Sequence, residues 1–160
     1  MNNFIIRKTT IEDVNIIFNF IKDLAKYEKM SHLVSATAED LKVNIFQKKH
    51  AEVVIVEVDN KPIGFALFFH NFSTFKGGPG LYLEDIFIKE EMRGNGYGKS
   101  VLQYLANIAV ERKCQRFEWS CLDWNSNAIK FYEGLGAVMQ DEWKIFRLSG
   151  NNLNIMANKK

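Results

Sequence analysis

The sequence predicts an α/β protein in which one mixed sheet carries helices on both faces. Short β-branched or aromatic runs alternate with segments whose apolar residues recur every three or four positions, and their order is β-α-α-β-β-β-α-β-α-β. No repeat, linker or low-complexity segment interrupts this order. The 160 residues suffice for one core, so we expect a single domain over residues 1–160.

The first part of the chain predicts a strand and two helices. Phe4–Arg7 is a short strand, and Thr10 can cap a helix that ends near Lys26, with Asp13 placed to favour the helix dipole. The apolar stripe of this helix consists of Ile11, Val14, Ile17, Phe18, Ile21, Leu24 and Ala25. Thr37 can cap a second helix with Leu41, Ile45 and Phe46 on its buried side.

A hairpin and a further strand follow. Val53–Val58 is a β-branched run, Asp59-Asn60-Lys61 is a tight turn, and Pro62–Phe72 is the partner strand. Ser73–Gly80 contains three glycines and one proline, which predicts a loop before the strand Leu81–Ile88.

The remaining segments predict two helices and the strands that close the sheet. A helix runs from about Gly96 to Lys113, a strand covers Arg116–Cys121, and a short helix spans Asn125–Leu135 with Gly136 as its C′ residue. Ala137–Leu148 should give one or two strands, and the tail beyond is mostly polar. We therefore expect a splayed, mostly antiparallel sheet of six to seven strands with about four helices.

Composition excludes several classes of protein. Hydrophobic residues make up 47% and charged residues 25%, as in folded domains, and a net charge of +2 does not point to nucleic acid or an anionic membrane. No apolar run approaches the length of a membrane span, and the start lacks the pattern of a signal peptide, so we expect a cytoplasmic protein. Two cysteines and three scattered histidines match no metal spacing, so no metal is expected.

A glycine-rich segment, Arg93-Gly94-Asn95-Gly96-Tyr97-Gly98, joins a strand to an amphipathic helix. Such a turn directs unpaired backbone N–H groups outward at the positive end of the helix dipole, which suits a pyrophosphate. A Rossmann fingerprint needs a different third glycine spacing, and a Walker A loop would need one more residue before Gly98-Lys99-Ser100. Alone, the segment is equally compatible with anion binding and with an ordinary turn.

Together with its surroundings, this segment resembles the R/Q-x-x-G-x-G/A motif of the GNAT acetyltransferase superfamily. Further matches to the diamine (spermidine/spermine) acetyltransferases occur in order at Lys26-Tyr27-Glu28, Leu81-Tyr82-Leu83-Glu84-Asp85, Asp123-Trp124-Asn125 and Phe131-Tyr132. The resemblance covers about Phe4 to Leu148 and is strongest to the thialysine acetyltransferase branch. It implies a GNAT fold, acetyl-CoA as the cofactor and a homodimer.

The resemblance also implies roles for individual residues. Glu84 would be the general base and Tyr132 the general acid. Asp85, the next residue, should face the other side of the sheet by alternation and so would not share the role of Glu84 unless a bulge redirected it. Coenzyme A would lie against the strand backbone, the glycine segment and the start of a later helix, through Ile86, Phe87, Ile88, Arg93, Gly94, Asn95, Gly96, Tyr97, Gly98, Lys99, Asn125, Ser126 and Ala128. Lys99 or Lys130 could contact the 3′-phosphate.

Acceptor recognition rests on carboxylates and aromatic faces, which suit a cationic amine. The candidates are Tyr27, Glu28, Glu84, Glu118, Trp119, Asp123 and Glu142, each of which could instead be an ordinary solvated charge or packed ring. Phe75 stands where the long-polyamine enzymes carry a tryptophan, and Glu133-Gly134-Leu135 lacks their basic residues, which argues against spermine.

These observations lead to one leading hypothesis and two rivals. We expect direct transfer of acetyl from acetyl-CoA to the primary amine of a small molecule, either a thialysine- or lysine-like amine or a short diamine. Because the amine attacks directly, Cys121 is not a nucleophile. The rivals are an enzyme that acetylates a protein or peptide amine and a non-catalytic acyl-CoA-binding module.

Overall fold

The computed structural model describes residues 2–158, which divide into two compact units. The first unit ends at Ser120 and the second begins at Cys121. The first contains the sheet and three helices, and the second contains two helices joined by an irregular segment.

Within the described residues, five strands form one sheet in the order β1-β2-β3-β4-β5. Pairing is antiparallel from β1 to β4 and parallel between β4 and β5. The strands are β1 Phe4–Lys8, β2 Glu52–Val58, β3 Lys61–Ser73, β4 Gly78–Ile88 and β5 Phe117–Trp119. The long β3–β4 hairpin forms the centre of the sheet and gives β4 its position.

Five α-helices accompany the sheet in the described part of the chain. They are α1 Val14–Tyr27, α2 Ala38–Leu41, α3 Tyr97–Glu111, α4 Ser126–Gly134 and α5 Gly150–Asn158. A 3-10 turn at Ile11–Asp13 precedes α1, a π-helical segment at Lys42–Gln47 continues α2, and further 3-10 turns occur at Ser31–Leu33 and Glu90–Met92. None of the helices in residues 2–158 is long and apolar enough to cross a membrane.

The core of the first unit has a layer on each face of the sheet. Helix α1 packs on one face, where its buried residues meet those of the central strands: Ile17, Phe20, Leu24, Val53, Ile55, Phe65 and Phe87. Alternate residues of the same strands, such as Val54 and Val56, are also buried, as are Val101 and Leu105 of α3. Helices therefore lie on both faces, as the apolar runs of β2 and β3 require.

The β2–β3 turn shows how the local sequence determines the register. Asp59 and Asn60 adopt φ of 50° and 63°, the left-handed pair of a type I′ turn, whose twist matches the flanking strands. Asp and Asn tolerate this region better than most residues because their short polar side chains bond locally. The tight turn predicted here is confirmed.

The α/β class and the mostly antiparallel sheet are confirmed, but the sheet has fewer strands than expected. The prediction of strands in Ala137–Leu148 is wrong, because that described segment is irregular up to the start of α5. No residue of this described segment pairs in a ladder. The tail forms α5, and β4 begins at Gly78 rather than Leu81 because the predicted loop is part of the hairpin.

An ion-pair network joins β1, the entry to α1 and β2. The guanidinium of Arg7 donates to both oxygens of Asp13 at 2.9 and 3.0 Å and to Glu57 at 2.7 Å. Both carboxylates are buried, and the Arg7 hydrogen bonds hold the pKa of Asp13 below its usual range. Asp13 also accepts the N–H of Thr10, so it does more than favour the helix dipole.

We predict that Arg7→Leu lowers the free energy of unfolding by about 2–4 kcal/mol, because two buried carboxylates lose their cation. The pKa of Asp13 is depressed in the folded state, so its contribution is present above the unfolded pKa and is lost as pH falls through the folded value. Urea unfolding should thus show the largest difference near pH 7 and a smaller one below about pH 4.

Arg112→Leu is the matched control for this prediction. Arg112 also makes a two-point ion pair, with Glu52 at 2.6 and 2.9 Å, but the Glu52 carboxylate is far more exposed than the carboxylates that Arg7 contacts. Loss of this ion pair should lower the free energy of unfolding by no more than about 1 kcal/mol. Equal losses in the two variants would show that burial does not strengthen the Arg7 network.

Candidate active site

Strand β4 contains a β-bulge at Glu84. On β3, the neighbouring residues Leu67 and Phe68 pair with Asp85 and Leu83, so the register within the described strands skips Glu84. A bulge leaves its extra residue outside the ladder and changes the direction of the strand locally. The exposed Glu84 side chain is therefore free of the packing that surrounds its neighbours.

The bulge also changes the face on which Asp85 lies. Residues directly opposite each other in an antiparallel pair share a face, so Asp85 lies on the face of Leu67, which packs against the α1 core. Leu83 lies on the other face with Phe68. Simple alternation, on which the expectation for Asp85 rested, does not hold across this point of β4.

Parallel pairing between β4 and β5 stops immediately before the bulge. Leu81, Tyr82 and Leu83 pair with Phe117, Glu118 and Trp119, and the described β5 pairs with no later residue of β4. Backbone groups from Glu84 to Ile88 thus face an opening on this side, as the splayed sheet predicts. Such an edge can accept an extended ligand as an added strand, and Ile86, Phe87 and Ile88 lie along it.

Three carboxylates influence one another at this opening. Burial and, to a smaller extent, the negative charges of Glu84 and Glu28 together raise the pKa of Asp85 to about 6. Burial also raises the pKa of Glu28, which lies just beyond the end of α1. Concentrated negative charge at a partly buried position favours a cation, which would relieve the repulsion. Two predicted acceptor residues, Glu28 and Glu84, therefore belong to one acidic group with Asp85.

The glycine segment has the geometry that an anion site needs. Gly94 and Gly96 adopt φ of 81° and 80°, where a side chain would be strained, and a Cβ at either position would have no atom within 4 Å. Gly96 is the N-cap of α3, and the first helical bond runs from Ser100 N to Gly96 O at 3.0 Å. The N–H groups of Tyr97, Gly98 and Lys99 precede that bond and so lack helical partners. An exposed cradle of this kind fits the pyrophosphate of coenzyme A.

Side chains within the segment fix its shape. The Asn95 amide donates to the carbonyl oxygens of Met92 and Arg93 at 3.0 and 3.3 Å. Arg93 donates through Nε to Ile88 O at 2.9 Å, and its guanidinium lies over the Tyr27 ring at 4.3 Å. The predicted acceptor residue Tyr27 therefore contacts the predicted cofactor cation.

Two predicted acceptor residues lie on β5 and already have protein partners. Glu118 forms an ion pair with Arg116 at 2.7 Å and accepts from the Asn71 amide at 3.2 Å. The Trp119 ring packs on Phe117 with ring centroids 5.0 Å apart. These contacts favour positioning of β5 over direct acceptor binding, although Trp119 pairs with Leu83, where the opening begins, and Glu118 pairs with the residue before it.

The other predicted site residues belong to the second unit. Asn125 is the N-cap of α4, and its side chain accepts from Ala128 N at 3.3 Å, with Ser126 as the first helical residue. Tyr132 is half-buried, and its ring lies 5.5 Å from that of Phe131. Gly136 ends α4 with φ of 93°, as predicted, while Asp123 and Glu142 are exposed outside the helices.

Asp85 is the site residue that sequence reasoning missed. The signal was an adjacent pair of acidic residues inside an otherwise apolar strand, because burying a charged carboxylate costs free energy and is seldom found without a function.

A separate cavity of about 350 Å³ is lined by residues that include Lys8, Glu52 and Arg112, and it contains none of the predicted site residues. Among residues 2–158, no cluster of three or more His, Cys, Asp or Glu residues could hold a metal ion.

Comparison with known proteins shows similarity to acetyltransferases over most of the chain. The sequence model of the acetyltransferase (GNAT) family matches residues 19–137. The chain is 32% identical to a thialysine N-epsilon-acetyltransferase of Bos taurus, over 96% of this chain and 97% of the relative. It is 31% identical to the L-ornithine N5-acetyltransferase NATA1 of Arabidopsis thaliana, over 92% of this chain and 85% of that protein.

A solved structure shares the fold of this chain. The fold resembles that of the integron cassette protein VCH_CASS6 from V. cholerae, with a TM-score of 0.82, 28% identity and 98% coverage of both chains. The bulged, splayed sheet and the glycine segment at the start of α3 thus occur in a chain whose sequence matches one family over most of its length. The chain belongs to the acetyltransferase (GNAT) family and is an N-acetyltransferase.

Proposed function

We propose that this enzyme transfers acetyl from acetyl-CoA to the primary amine of a small cationic molecule, either an amino acid of the thialysine or ornithine kind or a short diamine. The observation that carries the proposal is the acidic group formed by Glu28, Glu84 and Asp85 at the opening between β4 and β5. The relatives named for thialysine and ornithine support the same substrate class.

The first unit has suitable groups for acetyl-CoA. The N–H groups at the start of α3 and the guanidinium of Arg93 would hold the pyrophosphate, with Lys99 available for a further phosphate. The free edge of β4 at Ile86 and Ile88 would pair with the pantetheine arm. When bound, acetyl-CoA supplies an acetyl group activated as a thioester.

The acidic group would bind the acceptor and remove its proton. An alkylammonium has a pKa of about 10, so it arrives protonated at neutral pH and must lose a proton before it can attack. Glu84 is the proposed base, because it is exposed at the bulge and lies outside the core packing. Glu28 and Asp85 would hold the cation nearby, and in doing so would lose part of their own repulsion.

Two further parts of the proposal rest on the family resemblance. Tyr132 would return a proton to the departing thiolate, since a phenol and a thiol have comparable basicity. The enzyme would act as a homodimer. Light scattering during gel filtration would test this by measuring the mass of the protein in solution. Acetylation of a protein or peptide amine remains the rival, and the substrate panel below includes it.

We predict that Glu84→Gln lowers kcat/KM for the best amine about 100- to 10,000-fold at pH 7, because the amide cannot accept the proton. The difference in kcat/KM between Glu84→Gln and wild type should become smaller towards pH 10, where more of the acceptor amine is already neutral. Initial rates with acetyl-CoA should be measured for thialysine, lysine, ornithine, spermidine, spermine and a lysine peptide.

Glu111→Gln is the matched control, because Glu111 is an exposed carboxylate at the C-terminal end of α3, the end opposite the glycine segment. It should leave the rates unchanged. Full activity of Glu84→Gln at pH 7 would remove Glu84 from the role of base. A preference for the peptide would favour the rival acceptor class, and no turnover with any amine would favour a non-catalytic acyl-CoA-binding protein.

We predict that Asp85 costs stability when it ionises. Its pKa of about 6 in the folded protein lies above the unfolded value of about 3.9, so its favourable contribution is complete below pH 4 and is lost as pH rises through 6. Relative to wild type, Asp85→Asn should gain about 1–3 kcal/mol in free energy of unfolding between pH 4 and pH 7.5.

Urea unfolding at several pH values would measure this difference, and Asp23→Asn, on the exposed side of α1, controls for the loss of a charge. A constant difference between Asp85→Asn and wild type would show that the environment of Asp85 does not disfavour its ionised form. Acceptor binding should oppose the effect, since a bound ammonium group stabilises the carboxylate.

A further inference from the structure

The C-terminal end of α1 contacts the cation of the glycine segment. The Tyr27 ring lies 4.3 Å from the Arg93 guanidinium carbon, and the Phe87 ring lies 5.5 Å from it on β4. The Nε–H of Arg93 donates to Ile88 O at 2.9 Å. Two rings and a carbonyl therefore limit the positions of an otherwise exposed and flexible side chain.

The same end of α1 supplies a carboxylate to the acidic group. Glu28 follows Tyr27 directly and raises the pKa of Asp85 through its charge. The helix ends in a closed turn, in which Lys29 adopts φ of 60° and Met30 N donates to Ala25 O at 2.8 Å. Tyr27 and Glu28 thus belong to one rigid turn that contacts both parts of the site.

The geometry leaves the phosphate-binding edge of Arg93 available. Stacking on a ring uses the flat face of a guanidinium, whereas hydrogen bonds to phosphate use N–H groups in its plane. Because Nε is directed to Ile88 O, the two Nη groups remain in that plane for an anion. A guanidinium restrained in this way loses less conformational freedom when an anion binds.

We propose that Tyr27 is a positioning residue for Arg93, and that this contact makes the α1 turn part of the coenzyme A site as well as the acceptor site. The inference rests on the proposed function, since it takes the glycine segment as the pyrophosphate site. It assigns Tyr27 an effect on coenzyme A affinity that a role in acceptor binding alone would not produce.

Calorimetric titration with coenzyme A, in the absence of any amine, tests the inference. Tyr27→Leu should raise the Kd about two- to fivefold, the range for a cation–π contact at an exposed position. Tyr27→Phe should restore the wild-type Kd within about 1.5-fold, because phenylalanine provides an equivalent ring face. In the Arg93→Gln background, Tyr27→Leu should add no further loss, since the partner is already absent.

Phe18→Leu provides a matched control on the same helix, because Phe18 makes a cation–π contact of 4.7 Å with Lys22 and none with the glycine segment. It should leave the coenzyme A Kd unchanged, and thermal unfolding would identify any variant with a damaged fold. Additive losses for Tyr27→Leu and Arg93→Gln would overturn the inference, as would an unchanged Kd for Tyr27→Leu. Failure of the wild type to bind coenzyme A would instead refute the proposed function.

Discussion

The position at which β4 changes its pairing determines the architecture of the site. Before Glu84 the strand has neighbours on both sides, and after it the strand keeps β3 but not β5. The bulge coincides with this change, so one point of the backbone frees a carboxylate from the ladder and opens an edge with unpaired polar groups. The strand itself thus places the Glu84 carboxylate next to an edge that can bind an extended ligand, and no loop is needed to bring the two together.

Negative and positive groups occupy separate places along the C-terminal part of β4 and the glycine segment that follows it. Carboxylates gather around the bulge, and burial raises the pKa of two of them, Asp85 and Glu28. The glycine segment instead presents N–H groups and a guanidinium, with no side chain at Gly94 or Gly96 to obstruct an anion. The acidic group and the glycine segment are therefore distinct regions of the first unit, and the Tyr27 and Phe87 rings lie beside the Arg93 guanidinium.

Local signals predicted much of this arrangement. The Asp59-Asn60 turn, the Thr37 and Asn125 caps and the glycine end of α4 depend on a few neighbouring residues, and each forms as expected. The orientation of Asp85 could not be predicted in this way, because a bulge depends on the register of the partner strand. The expectation for residues 137–148 was wrong for a related reason: a strand forms only by pairing with another strand, and the sequence of a segment does not specify that pairing.

The Arg7 network affects how this protein can be shortened. The family match begins at residue 19, so a fragment cut there would lose all of β1 together with Arg7 and Asp13. Glu57 would then be left without its cation, and β2, whose residues Val53 to Val58 are buried, would become the edge of the sheet. An apolar, β-branched edge is a template for intermolecular pairing. Trimming to the family boundary would therefore yield an aggregation-prone product even though every proposed acetyl-transfer residue is retained.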